Sequence, residues 1–322
     1  MSELTAARPS TVDAERLRRW LPAYGVYVAI ALLTLYNVFY TDNFLAWSNF
    51  RIQLVQVTPI VIVALGMALV IGTEGIDLSV GSVMALGAAL IPLYLGYGTV
   101  PAIVLALVGG AAVGFVNGAL VAFVGLQPIV ATLALLVGGR GVALVVSKGQ
   151  LKEIRSASFL AIGSDDLLGV PYVVWIAGVL ALLVGFLVRR TVFGRQLLAI
   201  GDNRPATELA GLPVKRVLLT VYVLCAVLAA VAGVITVSRI QSSDASAVGL
   251  LIELSAITAV VVGGTPLTGG RVRVVGTVAG ALLMQLVTAT MIKHNLKDST
   301  AQIVQAVIIL VAVYAARERR TR

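Results

Sequence analysis

Two carboxylates stand three residues apart in the run Gly72-Thr73-Glu74-Gly75-Ile76-Asp77-Leu78-Ser79-Val80-Gly81-Ser82, between two long apolar stretches. An Asp at the centre of a membrane helix costs about 2.5–3.5 kcal/mol, so acids in such surroundings call for a reason. Two readings follow from the residue types. In the first, Asp77 or Ser79 caps the helix that starts after them. A side-chain oxygen there satisfies free backbone amides, an acid suits the positive end of the helix dipole, and the glycines permit a tight turn. In the second, the run is a re-entrant element lining a solute path, because glycine-interrupted apolar segments mark such sites. A related run, Val261-Val262-Gly263-Gly264-Thr265-Pro266-Leu267-Thr268-Gly269-Gly270-Arg271, follows an apolar stretch containing Glu253. Gly72-Thr73 and Gly264-Thr265 hold comparable places, each after a Val/Ile run, and are read as either an internal repeat or a coincidence of two residues.

Other polar groups lie inside apolar stretches: Asn117 beside Gly118, Thr132 after Gln127-Pro128, and Arg140 beside Gly141. Asn117 and Thr132 either join neighbouring helices by hydrogen bonds or line a path. Arg140 is expected to face the interior, a cavity or the outer interface, since a lipid-facing Arg is unfavourable. Path candidates are therefore Glu74, Asp77, Ser79, Asn117, Thr132, Arg140, Glu253 and Thr265. Gly110, Gly114 and Gly118 recur at the small-xxx-small spacing that brings helices close. With one His (His294) and one Cys (Cys225), neither a His/Cys metal site, a disulfide framework nor a Cys/His nucleophile pair is expected. No G-x-x-x-x-G-K-[ST] phosphate cradle occurs, so the chain is not expected to be an ATPase or other enzyme, nor to bind a cofactor itself.

The elements that must position these groups are dictated by composition. Of 322 residues, 59% are hydrophobic and 12% charged, against about 45–50% and about 25% in soluble domains. Apolar segments run from 21 to 40 and over about 54–72, 79–96, 101–124, 128–147, 171–188, 217–237, 247–264, 274–292 and 301–316. Lipid leaves backbone amides no water to bond, so these are read as about ten transmembrane helices of an all-α polytopic protein. Their continuous apolar character, without alternation, argues against a β-barrel. With both termini in the cytoplasm, sixteen of the 24 Lys and Arg residues fall inside, seven outside, and Arg140 within a span, as the positive-inside rule expects. The basic balance is thus a matter of orientation and calls for no nucleic-acid partner. The organisation is a cytoplasmic segment 1–20, a single transmembrane domain 21–316, and a cytoplasmic tail 317–322. Two loops stand out, one outside at 148–170 and one inside at 189–216, and loops this long usually carry function or are disordered.

The inner segment has helix signals of its own. Asn203 is a good N-cap, Pro205 is tolerated in a first turn, and Glu208 lies early enough to suit the dipole. Gly211 can supply a left-handed stop, with Pro213 barring continuation. A helix of about two turns outside the membrane is therefore expected at 204–211, serving either as a headgroup anchor or as a lever pushed by another subunit.

Taken in order, Gly75-Ile76-Asp77-Leu78-Ser79-Val80-Gly81-Ser82, Asn117-Gly118, Pro128 to Leu133, Arg140-Gly141, Gly194-Arg195, Ala199 to Asn203, Ala206, Gly211, Glu253-Leu254 and Val262 to Thr265 resemble the permease subunits of bacterial ABC importers for ribose, xylose, arabinose, galactose and galactofuranose. The resemblance runs from about residue 50 to about 290. Arg239 to Asp244 with Gly249 look most similar to the galactofuranose type. Thr73-Glu74, Thr207 and Pro266 depart from the family's pattern. The resemblance implies the ABC importer permease fold in the bacterial inner membrane. It implies a periplasmic sugar-binding protein, a second permease copy or paralogue, and ATPase subunits carrying ATP and Mg. It also implies coupling to those ATPases through Gly194, Arg195, Gly201, Asn203, Ala206, Glu208 and Gly211. Alternatives from other classes are an ion-coupled carrier using Glu74, Asp77 or Glu253 for H⁺ or Na⁺, and an ABC permease for nucleosides or branched-chain amino acids.

Overall fold

The computed structural model describes residues 11–296, 299–300, 303–304, 306–308 and 310, with side chains from Tyr24 onward. Most of the expected span at 301–316, residues 1–10 and the tail 317–322 lie outside the described residues.

Among the described residues, long apolar runs become helices where the sequence leads one to expect them, with one exception. The helices are α1 (Thr11–Tyr40), α2 (Trp47–Gly72), α3 (Val80–Tyr94), α4 (Thr99–Ala119), α5 (Pro128–Ser147), α6 (Ala157–Ser164), α7 (Tyr172–Arg190), α8 (Val192–Asp202), α9 (Arg204–Leu209), α10 (Val214–Ile240), α11 (Ile252–Val262) and α12 (Val274–Lys293). Among the described residues, seven helices are long and apolar enough to cross a membrane: α2, α3 with a 3-10 turn to Tyr97, α4 with a π turn to Val124, α5, α7, α10 and α12.

The core sits between α2 and α10. From Val57 to Gly72, α2 is buried at every position but Ile60, as expected of a helix apolar on all sides. α10 packs against α2, α3 and α4. The glycine stripe of α4 faces it so closely that a Cβ on Gly114 would stand 2.7 Å from the Tyr222 carbonyl oxygen.

α10 runs from one end of the bundle to the other. At its start lie α8 and α9; at its finish lie α6 and a short strand. The loop at 148–170 is therefore ordered. Its strand β1 (Lys152–Glu153) pairs antiparallel with a second short strand (Ser242–Ser243), Lys152 opposite Ser243. Asp166–Leu167 and Val170–Pro171 form a small hairpin. Phe159 is fully buried beneath this cover, its carbonyl accepting from the Ser238 hydroxyl at 2.8 Å. Arg51 pairs with Asp166 at 2.7 Å.

The exception is the span expected at 247–264. Only α11, eleven residues, is helical there. At about 1.5 Å per residue it is about 16 Å long, half of a hydrocarbon core of about 30 Å. Residues 244–251 are turns instead. Asp244 Oδ1 accepts from the Ser246 amide at 2.8 Å, and Gly249 (φ +71°) and Leu251 (φ +59°) hold left-handed conformations that no helix continues through.

Candidate translocation and coupling sites

Sequence-selected residues collect in three places, beginning at the α8–α9 end. α2 and α11 finish there in the same C-cap. Glu74 (φ +64°) and Gly264 (φ +86°) are left-handed; the next amides, Gly75 and Thr265, donate back five residues to Val70 and Val260 at 3.0 and 3.1 Å. The equivalence pairs Glu74-Gly75 with Gly264-Thr265, two residues away from the Gly72-Thr73 register expected from sequence. What the two sites share is a helix stop. Glu74 is exposed. Thr265 is buried and braces its turn by accepting the Arg273 amide at 3.0 Å. The two turns are bonded, Gly270 N–H donating to the Gly72 carbonyl at 3.1 Å. Gly201, at the end of α8, is wedged into this contact. A Cβ there would collide with the Gly72 carbonyl and stand 2.5 Å from the Gly270 nitrogen.

The segment bearing Gly201 is built as two helices, one more than expected. Thr191 caps α8, accepting from Gly194 N–H at 3.1 Å, and the missing Cβ of Gly194 lets α8 fold onto the Leu187 and Val188 carbonyls of α7. Asn203 caps α9 through Ala206 N–H at 3.0 Å. Gly211 (φ +76°) ends it, with the Leu212 amide donating to the Thr207 carbonyl at 3.3 Å. The Thr207 hydroxyl reaches the carbonyls of Ala199 and Asn203 at 2.9 and 2.8 Å, tying α9 to α8; this is what the family-atypical Thr does. Arg204 and Glu208 pair along α9 at 3.1 Å. Arg195, Asn203, Ala206 and Glu208 are exposed, whereas Gly194 and Gly201 are buried. Sequence reasoning missed Leu209, 91% exposed. Its signal was a large apolar residue at the end of an otherwise polar two-turn helix.

The second place is a polar knot inside the bundle. Ser79 occupies the N-cap position of α3 but makes no capping bond, contrary to that expectation. Its hydroxyl and amide both donate to Asp77 Oδ1, at 2.6 and 2.9 Å, in an Asx-type turn. Asn117 of α4 donates to the Ser79 hydroxyl oxygen at 2.7 Å. Thr132 of α5 reaches the Ile76 and Pro128 carbonyls at 3.2 and 2.9 Å. Tyr222 and Cys225 of α10 face the carboxylate. Asp77, Ser79, Asn117, Thr132, Tyr222 and Cys225 are all at 0% exposure. Tyr222 is eight residues into α10, about 12 Å from its start. After α2, then, the chain turns back into the bundle before α3 begins. Asp77 makes no ion pair within 4 Å among the described residues.

The third place is where the turns 244–251 meet α3 and α5. Arg140 Nη1 donates to the carbonyls of Ala245, Ser246 and Val248 at 3.0, 3.4 and 2.8 Å, clamping the turns in place of a helix. Glu253, in the first turn of α11, is buried, and its Oε2 has no partner. Gly81 and Gly249 touch backbone to backbone: a Cβ on Gly249 would stand 2.5 Å from the Gly81 carbonyl oxygen. Arg140 is twelve residues along α5, about 18 Å from the Pro128 end, so this cluster also lies at membrane depth. Among the described residues no group of three metal-type ligands is found.

Comparison with known proteins shows the family. A family model described as a branched-chain amino acid transport system permease component matches residues 50–313. The chain belongs to this permease family. Its relatives include the galactofuranose transporter permease of Escherichia coli strain K12, 36% identical over 97% of this chain and 94% of the relative. The ribose import permease of the same strain is 37% identical over 94% of this chain and 97% of the relative. The L-arabinose ABC transporter permease of Azospirillum brasilense is 35% identical over 87% and 83%. No solved structure matches the chain. The permease is a multi-pass membrane protein.

Proposed function

We propose that this permease is the membrane-spanning subunit of an ATP-driven importer that passes a monosaccharide, a pentose or galactofuranose-like sugar, across the inner membrane. The reading rests on whole-length similarity to sugar-import permeases and on one structural observation. A doubly capped helix, α9, stands clear of the bundle with Leu209 outward, while Gly201 just before it is wedged under the turns that end α2 and α11. A short rigid helix mounted in this way transmits a push to both turns at once. The α8–α9 end is then cytoplasmic, as are both termini, with ten spans in all. ATP and Mg belong to a separate ATPase that receives Arg204 to Gly211. Leu209 is the apolar contact, and Arg195 and Glu208 are the polar ones. The α6 end receives a periplasmic sugar-binding protein, and a second permease copy or paralogue completes the path.

The family description favours one other cargo, a branched-chain amino acid. Proteoliposomes carrying the permease with its ATPase and binding protein decide between them. The expected result is ATP-dependent uptake of D-ribose, L-arabinose or D-galactose, and none of leucine. Uptake by the permease alone under an ion gradient overturns the reading in favour of an ion-coupled carrier.

A further inference from the structure

We propose that Arg140, Glu253 and the Gly249 carbonyl form a hydroxyl-binding subsite at membrane depth that the sugar contacts on its way through. This inference rests on the sugar-importer reading and names the site within it. The geometry is carried by one point in space, the position a Cβ would take on Gly81. Glu253 Oε2 stands 2.7 Å from it and Arg140 Nη2 3.5 Å, with the Gly249 carbonyl oxygen nearer still. A carboxylate acceptor, a guanidinium donor and a backbone acceptor thus border one close-packed spot beside Gly81, too tight for any atom as the helices stand, so a hydroxyl enters between them when the lead-in turns of α11 shift from α3.

Neither charged atom is spent. The described hydrogen bonds of Arg140 all leave from Nη1, and Glu253 Oε2 has no partner although the residue is only 7% exposed. The two do not close into an ion pair within 4 Å among the described residues. A buried carboxylate oxygen without a partner is costly. An Arg in a membrane helix marks a site facing protein or a polar path, not lipid. A sugar hydroxyl donates one hydrogen bond and accepts others, so a single hydroxyl or a vicinal pair can donate to Glu253 and accept from Arg140 at once. A branched aliphatic side chain can do neither. The two supports also come from different segments of the chain. Arg140 and Gly81 sit on continuous helices, whereas Gly249 and Glu253 sit on the half-helix α11 and its lead-in turns, whose other end is bonded through the Gly264–Gly270 turn to the Gly72 carbonyl at the end of α2, where Gly201 of α8 is wedged.

The test is a ratio that cancels the selectivity of the binding protein. In proteoliposomes holding permease, ATPase and binding protein, uptake of D-ribose, L-arabinose and D-galactose is measured against that of their monodeoxy analogues, first for the unmodified chain and then for Glu253→Gln and Arg140→Met. The expected result is a change of at least threefold in the sugar-to-deoxysugar ratio for one or more hydroxyl positions, with ATP hydrolysis stimulated by the loaded binding protein retained. Glu253→Asp and Arg140→Lys keep the charges, and are expected to give ratios between those of the variants and the unmodified chain. They serve as the test if the neutral variants fail to insert. Ratios unchanged within error, whatever happens to overall uptake, overturn the subsite and leave the pair as a clamp. Failure of the unmodified chain to take up any sugar overturns the importer reading instead.

Discussion

The Asp77 knot and the Arg140–Glu253 cluster use similar materials to opposite ends. Both place an ionisable side chain at membrane depth, and both sit where a turn interrupts the helical pattern. At Asp77 every neighbour turns inward: Ser79, Asn117 and Thr132 bond to one another or to the 76–79 turn, and no residue of the set is exposed. At Arg140 the same kind of bonds use up only one guanidinium nitrogen, leaving Nη2 and Glu253 Oε2 facing a common point. Both keep buried oxygens without a partner, Asp77 Oδ2, Asn117 Oδ1 and the Tyr222 hydroxyl in the first and Glu253 Oε2 in the second. The first is a weld between α3, α4 and α5 with every side chain at 0% exposure, whereas the second sets a charged donor, Arg140 Nη2, beside its unpartnered acceptor.

The sharpest way to break this contrast begins beneath the weld. Gly201→Val has no room against the Gly72 carbonyl. It is expected to cost about 3 kcal/mol or more, the upper range for overpacking, and to show as loss of monodisperse protein after detergent extraction. Next, Asp77→Ala strips the Ser79 amide and hydroxyl of their acceptor. It should lower stability by about 1–3 kcal/mol, read as a lower thermal midpoint in detergent. Glu253→Gln should move that midpoint far less; equal losses would erase the distinction between weld and binding site. Replacing Gly211 (φ +76°) by Val strains the end of α9 by about 1–2 kcal/mol. Together with Leu209→Asp, it is expected to reduce ATP-dependent uptake severalfold while insertion is unchanged. The smallest effect is a gain. Glu74→Gly removes a left-handed strain at φ +64° and should stabilise by up to about 1 kcal/mol, seen as a small rise in the midpoint with uptake intact.

Much of this layout is legible in the chain because lipid enforces it. Apolar runs such as 128–147 and 274–292 have no other way to satisfy their amides than as helices, and Asn203 and Gly211 announce the bounds of α9 by local chemistry alone. Where several segments compete, the sequence says less. The run at 247–264 reads as one span because hydropathy does not register the turn at Asp244 or the left-handed Gly249 and Leu251; only the carbonyl clamp of Arg140, more than a hundred residues earlier in the chain, compensates for the broken helix. Ser79 looks like a cap, but its hydroxyl oxygen accepts from Asn117 of α4 while its proton goes to Asp77. The 73–79 segment makes the tight turn of the first reading, and its Ser79 and Ile76 bond to partners on α4 and α5 that lie far away in the chain. The two Gly-Thr pairs looked like a repeat because both close helices, but the register is set by which residue is left-handed, and that is a backbone property.

The central claim is that force enters the permease through α9 from a separate ATPase. Cys225, the chain's one cysteine, is buried, so a thiol introduced by Glu208→Cys can be addressed alone in membranes containing the assembled transporter. The account predicts that a cross-linker reactive to thiol at one end and photoreactive at the other joins residue 208 to the ATPase, with the yield changing when ATP is trapped, and that a membrane-impermeant thiol reagent reaches it only in inside-out vesicles. Labelling of residue 208 from the outer face, with no cross-link to an ATPase, would contradict it.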